Sequence, residues 1–325
     1  MYRRLGSGTL KGTDPMEIGY VEGPDAAWMS RLVPFLGHKE PWYEYHIGQA
    51  LSEPLDDLRT RFYLGLVGDL IVSHVMVVSA RGIGILGHVY TLPEWRRQGA
   101  SSLLMDALMR DVADLSLDVV TLSTEFGSAA YGIYAQFGFR SLSEGSGDMA
   151  WRSEAARDHF ALAGCEIRPV QWSDWPAYSW ATLQPVGAVE PRPRSAALGV
   201  SGQGSSEGPF LLMMQSALGG RSSHRVLRSA TGAVVGWCHL VPGQFPLSRA
   251  RILDVHVLSG FESHLPALLR AMEWPAEPVA CALTPAAPEY VDALAAHGFA
   301  RSERLNAAAA DLGSPPGLEV FLRVP

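Results

Sequence analysis

Two arginines, a glycine and small residues stand together at one point in the first half of the chain. They occupy residues 96–101, after a β-rich run that ends at Pro93 and before a run with helical periodicity. The start of a helix leaves backbone N–H groups unpaired and carries partial positive charge, and a glycine lets the backbone approach a bulky anion closely. The segment is therefore typical of a turn that binds a pyrophosphate. The alternative is a strand-to-helix turn with solvated arginines.

This segment resembles the cofactor loop of the GCN5-related N-acetyltransferases (GNATs), whose pattern is Arg/Gln-x-x-Gly-x-Gly/Ala between a strand and a helix. Ser101 departs from the last position of the pattern, where it supplies a small residue with a hydroxyl. The family also has the pattern Ala-x-x-x-Tyr-x-x-x-Gly-Phe near the end of its domain, and residues 130–139 carry it with Tyr134 at the tyrosine position. The resemblance implies a GNAT fold that uses acetyl-CoA as co-substrate.

The resemblance also implies which residues contact acetyl-CoA. It places the Tyr134 phenol near the thioester sulfur, where a group that keeps its proton at neutral pH can protonate the leaving thiolate. Tyr131, one turn earlier, is the competing candidate, and the alternative role for Tyr134 is helix packing. Ser128 stands in the region where the family usually has an asparagine that contacts the cofactor. The expected contacts with the co-substrate come from Tyr90, Thr91, Leu92, Arg96, Arg97, Gln98, Gly99, Ala100, Ser101, Ser102, Ser128 and Tyr134.

Direct transfer requires that the acceptor amine lose a proton before it attacks the acetyl carbonyl. A side chain or an ordered water can take this proton. His88 and Glu125 are the leading candidates, since His88 lies close to the cofactor strand and Glu125 follows a strand end. His74 and His46 are further candidates because an imidazole titrates near neutral pH. A structural role is the alternative for each histidine.

Hydrophobic periodicity predicts the elements that position these residues. Apolar residues recur at helical spacing from Ala100 to Leu115, which predicts an amphipathic helix behind the arginine turn. The pattern predicts strands over 16–21, 61–67, 70–78, 83–92 and 118–123, and helices over 25–36, 41–51 and 129–137, with 41–51 alternatively a lid.

Two pairs of similar segments indicate an internal duplication of about 150 residues. Residues 17–28 resemble 166–178, and residues 131–141 resemble 290–302 in the same order. In the second copy, Leu294 stands at the position of Tyr134. The second copy also lacks the arginine turn, so it is expected to be non-catalytic.

The sequence therefore predicts an α/β (α+β) protein with two GNAT-like domains, each a central mixed, mostly antiparallel sheet flanked by helices. The expected divisions are a flexible extension over 1–15, an acetyl-CoA-binding domain over 16–152, a linker helix over 153–163 and a degenerate domain over 164–325. A Gly/Ser stretch at 199–208 is expected to be a mobile loop.

Composition excludes several other classes of protein. The chain has 325 residues and a formal net charge of −7, and it has no basic run, so binding to nucleic acid or to an anionic membrane is disfavoured. Its 3 cysteines are odd in number and far apart, which predicts neither a disulfide framework nor a metal site and fits a cytoplasmic protein. No signal peptide or apolar run of membrane-spanning length is evident.

The predicted activity is that of an acyl-CoA-dependent N-acyltransferase, which transfers acetyl from acetyl-CoA to an amine of a small molecule or peptide. A catalytically lapsed acyl-CoA-binding regulator or scaffold is the alternative from a different class. A hydroxyl acceptor or a longer acyl donor is the alternative within the same fold.

Overall fold

The structure is a computed structural model that describes residues 1–12, 14–39, 41–112, 114–183, 192–193, 207–220, 223–243, 250–284, 288–311 and 318–324. The chain divides into two compact units. The first contains Met1–Arg157 and Trp172–Leu183, and the second contains Asp158–Gln171 and Gln184–Pro325. Most of the expected loop at 199–208 lies outside the described residues.

The first unit is built on a sheet of eight strands among the residues described, in the order β1-β2-β3-β4-β5-β6-β8-β7. All neighbours are antiparallel except β5 and β6. The predicted mixed, mostly antiparallel sheet is thus confirmed. The strands are β1 (Tyr2–Thr9), β2 (Pro15–Glu22), β3 (Arg59–Val67), β4 (Leu70–Ala80), β5 (Ile83–Thr91), β6 (Val119–Ser123), β7 (Arg140–Ser141) and β8 (Asp148–Arg152), and the helices are α1 (Met29–Phe35), α2 (Pro41–Ser52), α3 (Ala100–Val112), α4 (Ala129–Gln136) and α5 (Trp175–Thr182).

The N-terminal segment differs from the expected flexible extension. Strand β1 pairs with β2 from Tyr2 opposite Val21 to Thr9 opposite Pro15. Just beyond it, the Lys11 N–H donates to the Gln98 carbonyl at 3.1 Å, so this segment also supports the arginine turn. Hydrophobic periodicity did not predict this strand, because an edge strand buries few side chains and needs no apolar alternation.

One face of the first sheet packs on α3 and α4. Strand residues with alternating spacing point to this face, including Val75 and Val77 of β4 and Leu86 of β5, and they meet Leu104 and Leu108 of α3. The helix is also held by charge near its C-terminal end. Asp111 is buried and accepts hydrogen bonds from the Tyr63 hydroxyl at 2.6 Å and from the Arg61 guanidinium.

Helix α5 packs against β4 and β5, although its residues follow the segment predicted as a linker. Asp56 begins this helical segment by accepting the backbone N–H groups of Trp172 and Ser173, both at 2.8 Å. Trp175 is fully buried, with its ring centroid 4.7 Å from that of His46. The predicted boundary at residue 164 therefore does not coincide with the division in the structure, and residues 153–163 contain turns but no helix.

The second unit has a sheet of the same kind. Among its described residues the strands follow the order β15-β16-β14-β13-β12-β11-β9, with β10 also paired to β14. As in the first unit, one parallel pair, β13 with β14, lies among antiparallel neighbours. The strands are β9 (Cys165–Pro169), β10 (Arg192–Pro193), β11 (His224–Ser229), β12 (Val234–Pro242), β13 (Arg251–Val257), β14 (Val279–Thr284), β15 (Phe299–Arg301) and β16 (Glu319–Arg323), and the helices are α6 (Glu207–Leu218), α7 (Leu265–Arg270), α8 (Pro288–Ala295) and α9 (Glu303–Asp311).

Within the described parts of both units, no helix is long and apolar enough to cross a membrane.

The cap on the helical segment that begins at Trp172 gives a stability prediction. Asp56→Asn should lower the free energy of unfolding by ~1–3 kcal/mol, because it replaces one of two acceptor oxygens with an amide that cannot accept from a buried N–H. Asparagine tolerates the left-handed backbone at this position, where φ is 43°. Urea unfolding measures the change. Asp57→Asn is the matched control, since the Asp57 side chain is 81% exposed. Equal effects of the two substitutions would contradict a capping role.

Candidate active site

A gap opens in the first sheet between β5 and β6. The two strands pair only from Ile83 opposite Val119 to Ile85 opposite Thr121. Beyond this point β5 continues beside β4, and β6 continues beside β8. The backbone edges that face each other across the gap therefore have no strand partner there.

The far end of β5 presents backbone polar groups to this gap. The Leu92 N–H donates to the Val72 carbonyl of the β4 side at 3.0 Å. Successive N–H groups along a strand point to opposite sides, so the Thr91 N–H points away from β4 and towards the gap. The Thr91 carbonyl accepts from Arg96 Nε at 3.0 Å.

The turn predicted to bind pyrophosphate follows at once. A short 3₁₀ helix spans Pro93–Trp95, and then Arg97 and Gly99 take φ angles of 62° and 93°. The first hydrogen bond of α3 runs from the Leu103 N–H to the Gly99 carbonyl at 3.0 Å, so the preceding N–H groups have no acceptor within the helix. A Cβ placed on Gly99 would meet no atom within 4 Å. Open space, free donors and exposed arginines fit a pyrophosphate.

Ser101 links the start of α3 to the sheet. Its hydroxyl lies 2.9 Å from the Thr91 hydroxyl, which lies 2.8 Å from the hydroxyl of Ser73 on β4. The serine that departs from the family pattern thus fixes the helix against β5. Sequence reasoning missed Ser73, because a serine within a buried strand belongs to no local motif.

Tyr134 and Tyr131 are distinguished by their surroundings. Tyr134 is 7% exposed and packs in the core with α3, and burial raises the pKa of its phenol to about 12. The Tyr131 hydroxyl lies 2.9 Å from the Ser141 hydroxyl. Ser128 begins α4, where its hydroxyl accepts the Tyr131 N–H at 3.1 Å.

The family model described as an acetyltransferase (GNAT) domain matches residues 25–148. These residues are a GNAT acetyltransferase domain. A second sheet-rich unit follows it in a tandem arrangement. No curated protein matches the sequence.

Several solved structures resemble part of the chain. The GNAT domain of PAT from S. lividans is 9% identical, with a TM-score of 0.36, and the match covers 46% of this chain and 96% of that one. For the ribosomal-protein-S18-alanine N-acetyltransferase of Escherichia coli the identity is 14% and the TM-score 0.34, with coverage of 45% and 99%. The PaiA N-acetyltransferase of Thermoplasma acidophilum, in complex with coenzyme A, has 10% identity and a TM-score of 0.33, with coverage of 41% and 99%.

The histidine candidates of the GNAT domain are buried. His74 and His46 are fully buried, and burial lowers their pKa values to about 4 and about 3. His88 packs edge-on against Tyr43, with ring centroids 4.5 Å apart, and burial holds its pKa well below the ordinary value. All three imidazoles are therefore neutral at pH 7. Glu125 instead is exposed, two residues beyond the end of β6.

Aromatic rings gather on the other face of the GNAT sheet, against β5. The ring centroid of Tyr90 lies 4.1 Å from that of His38 and 5.4 Å from that of Phe35. Sequence reasoning assigned Tyr90 to the cofactor but missed Phe35, His38 and Tyr43. Residues 41–51 are rich in aromatic side chains, and this was the available signal for Tyr43.

In the second unit, groups of the protein itself provide hydrogen-bond partners at the matching place, where β10 pairs with the end of β14. Strands β13 and β14 pair only from Arg251 opposite Val279 to Ile252 opposite Ala280. Beyond them, the Val257 N–H donates to the hydroxyl of Tyr290 on α8 at 2.8 Å. Leu294, at the position of Tyr134, is fully buried. No group of His, Cys, Asp and Glu in the described parts of either unit is arranged to hold a metal.

The neutral buried histidines predict acid sensitivity of the GNAT domain. Their pKa values in the folded state lie below the unfolded value of about 6.5. The free energy of unfolding is therefore highest above pH 6.5, and it falls as the pH drops towards 4, because the unfolded chain takes up protons that the folded domain does not. His74 and His46 each contribute up to ~1.4 kcal/mol per pH unit in that window. Hydrogen exchange of α2 and β4 amides at pH 7, 6 and 5 measures the loss. His46→Phe should reduce the dependence of this stability on pH. His38→Phe, at an exposed site, should leave most of that dependence in place. A level stability between pH 7 and pH 5 would contradict buried neutral imidazoles.

Proposed function

We propose that the GNAT domain transfers an acetyl group from acetyl-CoA to an amine of a small molecule or peptide. The observation that carries this proposal is the continuity of the gap beside β5 with the open turn at Gly99. One continuous surface thus offers backbone groups for an extended amide-containing chain and free N–H donors for its phosphates.

The gap beside β5 and the turn at Gly99 suit different parts of CoA. The N–H groups from Gly99 to Ser102, with the charge of Arg97, suit the pyrophosphate of CoA. The backbone of β5 around Thr91 suits the amides of pantetheine, because a strand edge without a partner pairs with amides as another strand would. Arg96 and Gln98 are tied to the Thr91 and Glu94 carbonyls, so they shape the turn.

Transfer needs one bond to form and one to break. The amine nitrogen bonds to the acetyl carbonyl carbon, and the bond from that carbon to sulfur breaks. A backbone N–H of β5 that faces the gap stabilises the charge that develops on the carbonyl oxygen. Tyr134 gives its phenol proton to the departing sulfur, and burial, which raises the pKa of this phenol, keeps it protonated at neutral pH until then.

The proton of the attacking amine leaves by a separate route. The low pKa of His88 makes it a poor acceptor at pH 7. Glu125 is exposed beyond the end of β6, so we assign proton removal to Glu125 or to water in contact with it. Retention of both the open turn and Tyr134 supports catalysis over a lapsed CoA-binding scaffold.

The first experiment is calorimetry of acetyl-CoA binding to the whole chain. We expect one site per chain, because Tyr290 occupies the corresponding place in the second unit. Arg97→Glu together with Ser102→Glu should weaken binding by at least ~100-fold, since two carboxylates then stand where the phosphates sit. Acidic residues in the first turn of a helix are favourable for folding, so a loss of binding reports on the site.

Arg110→Glu is the matched control for this charge reversal. Arg110 lies near the other end of α3, where it pairs with the exposed Asp106, so its reversal should leave the affinity unchanged. Absence of binding by the wild-type chain would overturn the proposed function, and two sites per chain would overturn the assignment of the second unit.

The role of Tyr134 is tested by Tyr134→Phe. With an amine acceptor found by a screen for CoA release, turnover should fall by roughly 10²-fold while acetyl-CoA affinity stays within a few-fold, because the phenol acts on the leaving group. Tyr131→Phe is the matched control, since its hydroxyl is bound to Ser141. Wild-type turnover by Tyr134→Phe would exclude this residue as the acid.

A further inference from the structure

Beyond the end of its pairing with β6, strand β5 contains one residue more than the facing stretch of β4. His74 on β4 pairs with Tyr90, but Met76, two residues on, pairs with Gly87, three residues back. The extra residue forms a β-bulge, and within it His88 has a φ of 51°. This left-handed conformation is unfavourable for a residue with a side chain, and glycine commonly takes such a position in a bulge.

A buried imidazole holds the carbonyl of this strained residue. His74 Nδ1 lies 2.9 Å from the His88 carbonyl oxygen. A carbonyl only accepts, so His74 donates from Nδ1 and is the Nδ1–H tautomer. The His74 ring packs against those of Phe35 and Phe62, with centroids 6.3 Å and 6.0 Å away, and the side chain is fully buried. Packing around the ring therefore fixes the direction in which the Nδ1–H of His74 donates.

The orientation of one carbonyl decides the orientation of the next N–H. In a trans peptide, the C=O of one residue and the N–H of the next point in opposite directions. The His88 carbonyl points to the His74 imidazole, so the Val89 N–H points away from that ring. The Leu92 N–H donates to Val72 on the β4 side, and because N–H groups alternate along a strand, the Val89 N–H, three residues back, points away from β4. On that side β5 has no partner strand, because pairing with β6 has ended at Ile85.

We propose that His74 is a positioning residue that fixes the His88–Val89 peptide plane and thereby aims the Val89 N–H at the acetyl carbonyl oxygen. The inference rests on the proposed function, since it names the β5 donor that acts on the thioester. His74 does not touch the reacting atoms. It acts by keeping a strained peptide in the one orientation that presents a donor to the gap, which is the preorganisation that stabilises developing negative charge.

The test uses the carbonyl stretch of [1-¹³C]acetyl-CoA bound to the whole chain, measured by isotope-edited infrared spectroscopy. A hydrogen bond to the thioester oxygen lowers this frequency, so the bound wild type should show a band below that of free acetyl-CoA. His74→Leu removes the donor and should lose the shift, with an acetyl-CoA affinity by calorimetry within about threefold of wild type. His74→Asn places an amide N–H near the Nδ1 position and should restore the shift.

His46→Phe is the matched control. His46 is equally buried on the same face, but it packs on Trp175 and is not bonded to the bulge, so the shift should persist. If His74→Leu does not fold, His74→Phe repeats the removal with a larger apolar ring. A shift that persists in either variant, or one that His74→Asn fails to restore, would overturn the positioning role and leave the proposed function standing. Absence of acetyl-CoA binding by the wild type would overturn both.

Discussion

The candidate site depends on the early end of the parallel pairing between β5 and β6. Had the two strands stayed paired to the end of β5, the N–H groups of Val89 and Thr91 would be used within the sheet. The divergence leaves them facing a gap, and backbone groups that lack a strand partner need another source of hydrogen bonds. A bound chain with amides of its own meets that need, which links the architecture of the sheet to the chemistry of the proposed co-substrate.

Several separate interactions keep this divergence in a defined shape. The hydroxyls of Ser73, Thr91 and Ser101 join β4, β5 and the start of α3. Asp111, near the other end of α3, anchors that helix to the sheet through Tyr63 and Arg61. On the opposite face, α5 covers β4 and β5. The gap is therefore bordered by fixed elements, and a site on fixed elements loses less entropy when a ligand binds.

The two units have similar sheets, but the backbone beyond the parallel pair has different partners in each. Each contains one parallel pair that ends early. In the first unit the space beyond that pair is bordered by unpaired backbone. In the second unit Tyr290 bonds to the backbone of Val257, so a side chain of the protein satisfies the group that a ligand would otherwise satisfy. Strand β10 also pairs with β14 beyond the same parallel pair, at Leu283 and Thr284, so a strand and a side chain of the protein both provide partners there.

Local sequence determined much of this protein. The helical spacing of apolar residues after Ala100, the hairpin of β3 and β4, and the arginine turn are all properties of neighbours in the chain, and the structure has each element where the pattern predicts it. The GNAT resemblance rested on the same local signals and is confirmed for residues 25–148. The roles assigned to individual residues, from Tyr134 to Glu125, stay predictions.

Only the tertiary structure decided the features that depend on residues distant in sequence. The pairing of residues 2–9 as an edge strand and the packing of α5 on the first sheet depend on partners distant in sequence, so periodicity missed both. The histidines were chosen as bases for their ordinary pKa, but burial makes them neutral and ties His74 to a backbone carbonyl. Residue type sets the chemistry a side chain has in water. Burial and the neighbours supplied by the fold decide which part of that chemistry remains.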